Sequence, residues 1–598
     1  MFLAGLIRKI FREVRLVRNV AGLIRRVGKI KPNSPHTVAD IIEHWARTRP
    51  DSTAILFEGK SYTYREYDAN ANRYARWAQS LGLGRGDSLA LLMENRPEFL
   101  FAWGGLVKIG VTVALINTNL RERALAHSLA ICGARNIVLG TELADNFSSA
   151  TDDMQEKLTV WATGGVVQGA NDLDQMLAKQ SPDPLPADVR KGMTASDKCF
   201  YIYTSGTTGL PKAANMSHQR IQTMMHSFSI AMQSTAADRM YVVLPLYHSA
   251  GGVCAIGSVL TVGGSMILKR KFSTTQFWDD CAKYEATQFQ YIGELCRYLL
   301  NAPPHPLERK HKLRVVMGNG LRPEIWPAFQ KRFSIPWVIE FYGATEGNVA
   351  LVNADGKVGA VGRVPGYMRG LIQTRLVQFD VEHETPVRNT SGFCMECKND
   401  EVGEAIGKID EERGRFEGYS KGTDTEKKIL RNVFEPGDAW FRTGDLLKRD
   451  NDGYFYFVDR IGDTFRWKGE NVATSEVAEA ISVFPGVREA NVYGVKVPGT
   501  DGRAGMVSLV TESSLNLAEF KSHLDRNLPA YARPIFVRLQ GEIEVTGTFK
   551  HRKVELVKES YDPASVKDPM YFLDPVTSQY VPLTQDIVAR INAGEIRL

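Results

Sequence analysis

The stretch Tyr201-Ile-Tyr-Thr-Ser-Gly-Thr-Thr-Gly-Leu-Pro-Lys-Ala-Ala214 constrains this chain more than any other. A β-prone run enters a loop with four hydroxyls (Thr204, Ser205, Thr207, Thr208), two glycines (Gly206, Gly209), a proline and Lys212. Glycines let backbone N–H groups approach a phosphate, hydroxyls donate to it, and the lysine adds charge. The spacing excludes a Walker A loop, because Gly206 and Gly209 are three apart and Ala213 follows the lysine. A flexible surface loop of glycine and threonine accounts for some of these residues but not for the set.

At 598 residues the chain is too long for one hydrophobic core, so at least two domains are expected. Residues 87–93 and 111–116 read as buried strands with apolar helical stretches between them, the pattern of an α/β sheet. Residues 99–116 are the best membrane-spanning candidate, but Lys108 and the length favour a buried helix followed by a buried strand. The Gly86-Asp-Ser-Leu89 segment reads as a turn entering that apolar sheet, and residues 181–186 as a surface loop. Residues 355–460 carry glycine, charge and short alternating runs, which predicts small antiparallel strands. Short βα units follow, with a hinge expected at Gly462.

Net charge is +6, yet residues 1–31 alone hold nine basic residues and one acid, so the body is slightly acidic. A basic body would suggest nucleic acid; this distribution does not. Leu3, Ile7, Ile10, Val14, Val17 and Ile24 fall on one helical stripe, with Arg8, Arg12, Arg15 and Arg26 mostly opposite. The segment reads as an amphipathic helix on a membrane surface, or as a helix packed on the protein's own body. Its interspersed arginines do not suit a secretory signal. The odd number of scattered cysteines suits a reducing compartment, so the expected location is cytoplasmic and peripheral to a membrane. Cys394 and Cys397 form a lone C-x-x-C without the second ligand pair that zinc needs.

The loop at 201–214 resembles the phosphate loop of the AMP-forming adenylating superfamily. Further blocks follow in that superfamily's order: Leu244-Pro-Leu-Tyr-His-Ser249, Gly318-Asn-Gly320, Tyr342-Gly-Ala-Thr-Glu-Gly347, Thr443-Gly-Asp445, Asp459-Arg460 and Lys550. The resemblance runs from about residue 35 to the C-terminus. The block beginning Asp459-Arg-Ile-Gly-Asp-Thr-Phe-Arg-Trp-Lys-Gly469, with Gln288-Phe-Gln-Tyr-Ile-Gly-Glu-Leu-Cys-Arg-Tyr298, Met317-Gly-Asn-Gly-Leu-Arg322 and Tyr571-Phe-Leu-Asp-Pro575, is similar to the fatty acid transport protein/very-long-chain acyl-CoA synthetase branch, and the acyl tunnel is expected near Tyr291 to Glu294.

The resemblance implies an α/β fold: a large N-terminal domain of stacked sheets and helices (residues 32–461) and a small mobile C-terminal α/β lid (residues 462–598). It implies a fatty acid substrate, ATP, coenzyme A and Mg²⁺. Glu346 resembles the Mg²⁺ ligand and Thr345 the hydroxyl on the α-phosphate. Tyr342, Gly318, Asn319 and Gly320 resemble the adenine pocket. Asp445 resembles the ribose acceptor, with Arg460 its cationic neighbour. Lys550 resembles the mobile lysine of adenylation, and His248 the gate between acyl pocket and thiol channel. Lys468 and Gly469, beside Trp467, resemble the face presented to coenzyme A after the lid turns. Taken alone, Asp445 could cap a turn and Lys550 could be a solvated helix lysine. Gly462, Asn471 and Phe549 depart from the wider superfamily, and Asn471 stands where a phosphate-contacting arginine is common. Acyl chain length and oligomeric state stay open. A non-enzymatic transporter or membrane tether is the alternative.

Overall fold

The structure is a computed structural model that describes residues 2–205, 210–381, 383–410, 416–468, 470–500, 502–512, 514–542, 553–596 and 598. The chain forms two compact units, residues 1–362 with 415–428, and residues 363–414 with 429–598. Gly462 lies inside the second unit, in a turn at φ +89°, with open space where a side chain would project.

The first unit begins with helix α1 (Phe2–Val27). Helix α2 (Pro97–Lys108) is buried along its length and leads to the buried strand Thr112–Leu115. That helix–strand pair occupies the apolar run at 99–116. The Lys108 ammonium is 1% exposed and donates to Asp68 at 2.5 Å and Asn72 at 2.6 Å, so its charge is paired and hydrogen-bonded. Among the described residues, no helix is long and apolar enough to cross a membrane.

Strands β1 (Lys198–Ser205) and β2 (Pro211–Ser217) form a hairpin whose register runs Thr204 to Lys212 and Ser205 to Pro211. Ser217 caps the next helix, α3 (His218–Ala231), by accepting from the Arg220 N–H. The hairpin edges a seven-stranded sheet, ordered Asn171–Asp172, Thr159–Thr163, Asn136–Gly140, Ser88–Leu92, Thr112–Leu115, β1, β2. An eight-stranded sheet contains β3 (Gln288–Ile292), β4 (Val315–Asn319) and β5 (Val338–Gly343), adjacent and parallel. One hydrophobic core draws on both sheets: Leu89, Val113 and Phe200 from one, Ile55, Met240, Val315 and Ile339 from the other. Alternate residues Ala90, Leu92 and Ala114 face a second core on the other side of the seven-stranded sheet, as period-two side chains require.

Helix α1 packs along α3. On its inward face, Arg15 pairs with Asp355 at 3.0 Å and lies 5.4 Å from the Trp337 ring, while Arg26 donates to Ser229 at 3.4 Å. The outward stripe stays bare: Ile10, Val14, Val17 and Ile24 are 52–57% exposed. The helix therefore docks on the body, one of the two sequence expectations, and leaves an apolar stripe exposed. The side chains of Leu3, Ile7 and Arg8 lie outside the described residues.

In the second unit, β6 (Ala439–Arg449) and β7 (Tyr454–Arg460) belong to an antiparallel sheet with Thr374–Asp380 and Gly403–Lys408. Cys394 and Cys397 are buried there as free thiols, Cys397 pushed up to about 12 by burial. After the Gly462 turn come helix α4 (Thr474–Ser482) and a five-stranded sheet with its own core, including Phe465, Val492, Val507 and Phe572.

Candidate active site

The first unit gathers its polar residues at the C-terminal ends of the parallel strands, where open α/β sheets bind ligands. At the mouth of the β1–β2 hairpin, Lys212 pairs with Asp424 at 2.9 Å and lies 5.6 Å from the Tyr419 ring. Gly206, Thr207, Thr208 and Gly209 lie outside the described residues, as does the side chain of Ser205. The segment 416–428 is bound to the hairpin through the Asn215 N–H, which donates to the Gly418 carbonyl at 2.9 Å. Glu417 accepts from the Ser217 N–H at 2.7 Å and from its hydroxyl.

Beyond β5, the segment Gly343–Gly347 carries Thr345 and Glu346, both half-buried. The Thr345 and Ser249 hydroxyls are 2.9 Å apart. Glu346 accepts from the Tyr419 hydroxyl at 2.7 Å. Burial, followed by the Glu346 carboxylate, holds the Tyr419 phenol far above its usual value. The turn's backbone is held by Arg220 on α3, which donates to the Thr345 carbonyl at 2.5 Å and also to the Gly347 carbonyl. Burial pulls this guanidinium below its usual value, while Glu417 and Glu346 act the other way.

His248 is half-buried, and its Nδ1 accepts from the Ala250 N–H at 3.3 Å. It precedes a π-helical turn over Ala250–Ala255, a form concentrated at functional sites. Its neighbour Ser249 reaches Thr345, so this segment and the turn after β5 meet. Gly318 and Asn319 end β4 beside β5, which carries Tyr342, and Gly320 follows at φ +80°. The structure thus brings together Lys212, His248, Thr345, Glu346, Tyr342 and the 318–320 loop within one unit.

In the second unit, Asp445 and Arg460 stand opposite each other across β6 and β7, Nε to Oδ1 3.8 Å. Thr443 shapes this end of β6 by donating to the Ala405 carbonyl at 2.7 Å. Lys468 sits at the tip of the hairpin Trp467–Glu470 with φ +51°, its ammonium 5.9 Å from the Trp467 ring. Gly469 and Lys550 lie outside the described residues.

Sequence reasoning missed Arg220, Tyr419, Glu417 and Asp424. Arg220, Tyr419 and Asp424 act on motif residues from distant points in the chain, Glu417 anchors its segment to Ser217, and none sits in a pattern that marks it.

A magnesium ion shared with phosphates needs few protein ligands. Glu346, oriented by Tyr419 with two hydroxyls nearby, fits that donor set. Among the described residues no group of three or more His, Cys, Asp or Glu could cage a metal by itself.

Comparison with known proteins shows the family. Residues 42–392 match the family model described as AMP-binding enzyme, and residues 476–550 match the AMP-binding enzyme C-terminal domain. Long-chain fatty acid transport protein 2 of Rattus norvegicus is 42% identical, over 98% of this chain and 96% of its own length. Long-chain fatty acid transport protein 6 of Homo sapiens is 40% identical, over 94% and 91%. Among solved structures, the anthranilate CoA ligase AuaEII in complex with anthranoyl-AMP aligns with a TM-score of 0.76 at 19% identity, over 89% of this chain and 98% of that one. ATP-bound MatB from Rhodopseudomonas palustris aligns at 0.71 and 24%, over 87% and 98%. These structural likenesses show the fold, a large N-terminal α/β part with a smaller C-terminal part.

Proposed function

The chain belongs to the AMP-binding enzyme family and, within it, to the long-chain fatty acid transport proteins, and from that premise we propose that it joins a long-chain or very-long-chain fatty acid to coenzyme A through an acyl-AMP intermediate. The observation that carries this reading is the turn after β5. There one hydroxyl pair (Ser249, Thr345), one carboxylate (Glu346) and an arginine-clamped backbone converge.

The first step is attack of a carboxylate on the α-phosphorus of ATP, so two anions must be brought together and their charge offset. Thr345 donates to the α-phosphate. Thr204, Ser205, Gly206, Thr207, Thr208, Gly209 and Lys212 hold the outer phosphates. Glu346 would hold Mg²⁺, which when bound neutralises phosphate charge. Tyr342 with Gly318, Asn319 and Gly320 takes adenine, and Asp445 beside Arg460 takes the ribose hydroxyls. Lys550 bridges the carboxylate and the α-phosphate. The residues after Gly462 then turn, presenting Lys468 and Gly469 to coenzyme A, whose thiol displaces AMP past His248.

The test is pyrophosphate release with ATP, Mg²⁺ and a ladder of fatty acids, with and without coenzyme A. AMP and acyl-CoA should appear with one chain-length class. Lys550→Ala should slow adenylation by orders of magnitude yet spare thioester formation from supplied acyl-AMP. Equal loss in both half-reactions would remove Lys550 from that role.

The bare stripe of α1 supports a second element, attachment to a membrane surface. Apolar side chains enter the interface, and each nearby Lys or Arg adds roughly 1 kcal/mol on anionic lipid. Uptake then follows from trapping the acid as its thioester at the membrane.

A further inference from the structure

Tyr291, Gly318 and Glu340 stand in register on the adjacent strands β3, β4 and β5. A side chain at Gly318 would lie 2.4 Å from the Tyr291 ring carbon Cδ2 and 2.2 Å from the Tyr291 carbonyl oxygen. The ring therefore crosses over the glycine. Beyond it, the Tyr291 hydroxyl donates to Oε2 of Glu340 and lies 3.1 Å from the Ile339 carbonyl. The other carboxyl oxygen, Oε1, accepts from the Leu321 N–H at 3.1 Å. The backbone of Gly293 also closes on this loop, since a Cβ at Gly293 would fall 1.7 Å from the Gly320 carbonyl oxygen.

These contacts are unusual for a core. Glu340 is 2% exposed and Tyr291 is fully buried. Burial pushes the Glu340 carboxyl up to about 8, against the hydrogen bonds from Tyr291 and Leu321 that lower it. An apolar pair would fill the same space without the cost of burying polar groups. It could not reach the Leu321 N–H, which follows the left-handed Gly320. Glu340 also shares a strand face with Tyr342, two residues on.

We propose that Tyr291 and Glu340 are positioning residues for the nucleotide subsite. The clasp they close over Gly318 fixes the 318–321 backbone against which adenine is held. Gly318 is then a glycine because a tyrosine ring crosses it, rather than because a ligand must approach it. The inference rests on the assignment of 318–320 and Tyr342 to adenine.

The experiment compares the full-length protein with Tyr291→Phe, Glu340→Gln and Glu340→Leu. It reads ATP affinity by calorimetry, steady-state kinetics, and amide exchange at 318–321. Tyr291→Phe removes one oxygen and keeps the ring, so it remains informative if Glu340→Leu does not fold. Loss of one buried hydrogen bond should weaken ATP binding and raise its KM about tenfold, with kcat and the fatty acid KM little changed. Amide exchange at Leu321 should accelerate by a similar factor. Glu340→Gln, which still accepts from the Leu321 N–H, should retain most of the affinity that Glu340→Leu loses. Unchanged exchange in Tyr291→Phe would overturn the clasp. Accelerated exchange with unchanged ATP affinity would also overturn the proposal, and would locate the error in the adenine assignment.

Discussion

The Tyr419 hydroxyl donates to the Glu346 carboxylate across 2.7 Å, tying segment 416–428 to the turn after β5. A phenol in this position fixes which carboxylate lone pairs remain for a cation. Removing such a supporting hydrogen bond costs about 10–100-fold in metal affinity or activity. Tyr419→Phe should therefore raise the Mg²⁺ concentration needed for half-maximal pyrophosphate release by that order, with the protein still folded. A magnesium titration that superimposes on the wild type would remove Tyr419 from the metal's support.

Arg220 donates to the carbonyls of Thr345 and Gly347 and so holds the backbone from which Thr345 and Glu346 project. Its planar fork serves several acceptors at once, which a lysine ammonium on a flexible stem does not reproduce. Arg220→Lys and Arg220→Ala should both lose about two orders of magnitude in adenylation kcat/KM, in line with the cost of misplacing reacting groups by an ångström. Near-wild-type turnover in Arg220→Lys would show that charge alone suffices.

The contrast between these residues and the motifs shows what a sequence exposes. The hairpin around 201–214 and the turn 342–347 were legible because each packs its chemistry into a few consecutive residues. The helix–strand reading of 99–116 was legible from Lys108, whose partners Asp68 and Asn72 were not. Arg220, Tyr419 and Glu340 were not legible. Arg220 follows a helix cap and Glu340 lies within an apolar strand, neither with a local mark, and all three meet their partners only when strands and segments far apart in the chain are brought side by side. The motif marks Gly318 as an adenine-pocket glycine but not the Tyr291 carbonyl and ring, which leave a Cβ there only 2.2 and 2.4 Å away.

Helix α1 separates two roles on two faces. The Arg15–Asp355 pair and the Arg26–Ser229 contact belong to docking, while Val14 and Val17 belong to the bare stripe. Val14→Asp with Val17→Asp should lower recovery on vesicles containing anionic lipid by more than tenfold, because each change removes apolar insertion and adds repulsion. Turnover of a long-chain acid supplied without vesicles should persist. Unaltered sedimentation with the vesicles would assign membrane contact to another surface.

His218, the first residue of α3, is fully buried, and its Nδ1 accepts from the Val38 N–H at 3.2 Å. Acceptance at Nδ1 requires that nitrogen to be unprotonated. Burial, more than the neighbouring charges, pushes the imidazole down to about 4. In the unfolded chain a histidine titrates near 6.5, so between those values the unfolded state binds a proton that the folded state refuses. The resulting stability is fully present above pH 6.5 and drains away as pH falls toward 4, by about 3 kcal/mol at most. His226 on the same helix is pushed down to about 4 as well, and adds in the same direction. Chemical unfolding at pH 7.5 and pH 5 should show a smaller loss for His218→Gln than for the wild type, since glutamine has no proton to gain. Because Arg220 lies two residues further along α3, acid loosening of this helix start should also weaken the clamp on Thr345. The wild type should then lose adenylation at pH 5 before it unfolds, and His218→Gln should lose less. Equal pH slopes for the two proteins, in both stability and turnover, would exclude His218 as the acid-sensitive point of the helix.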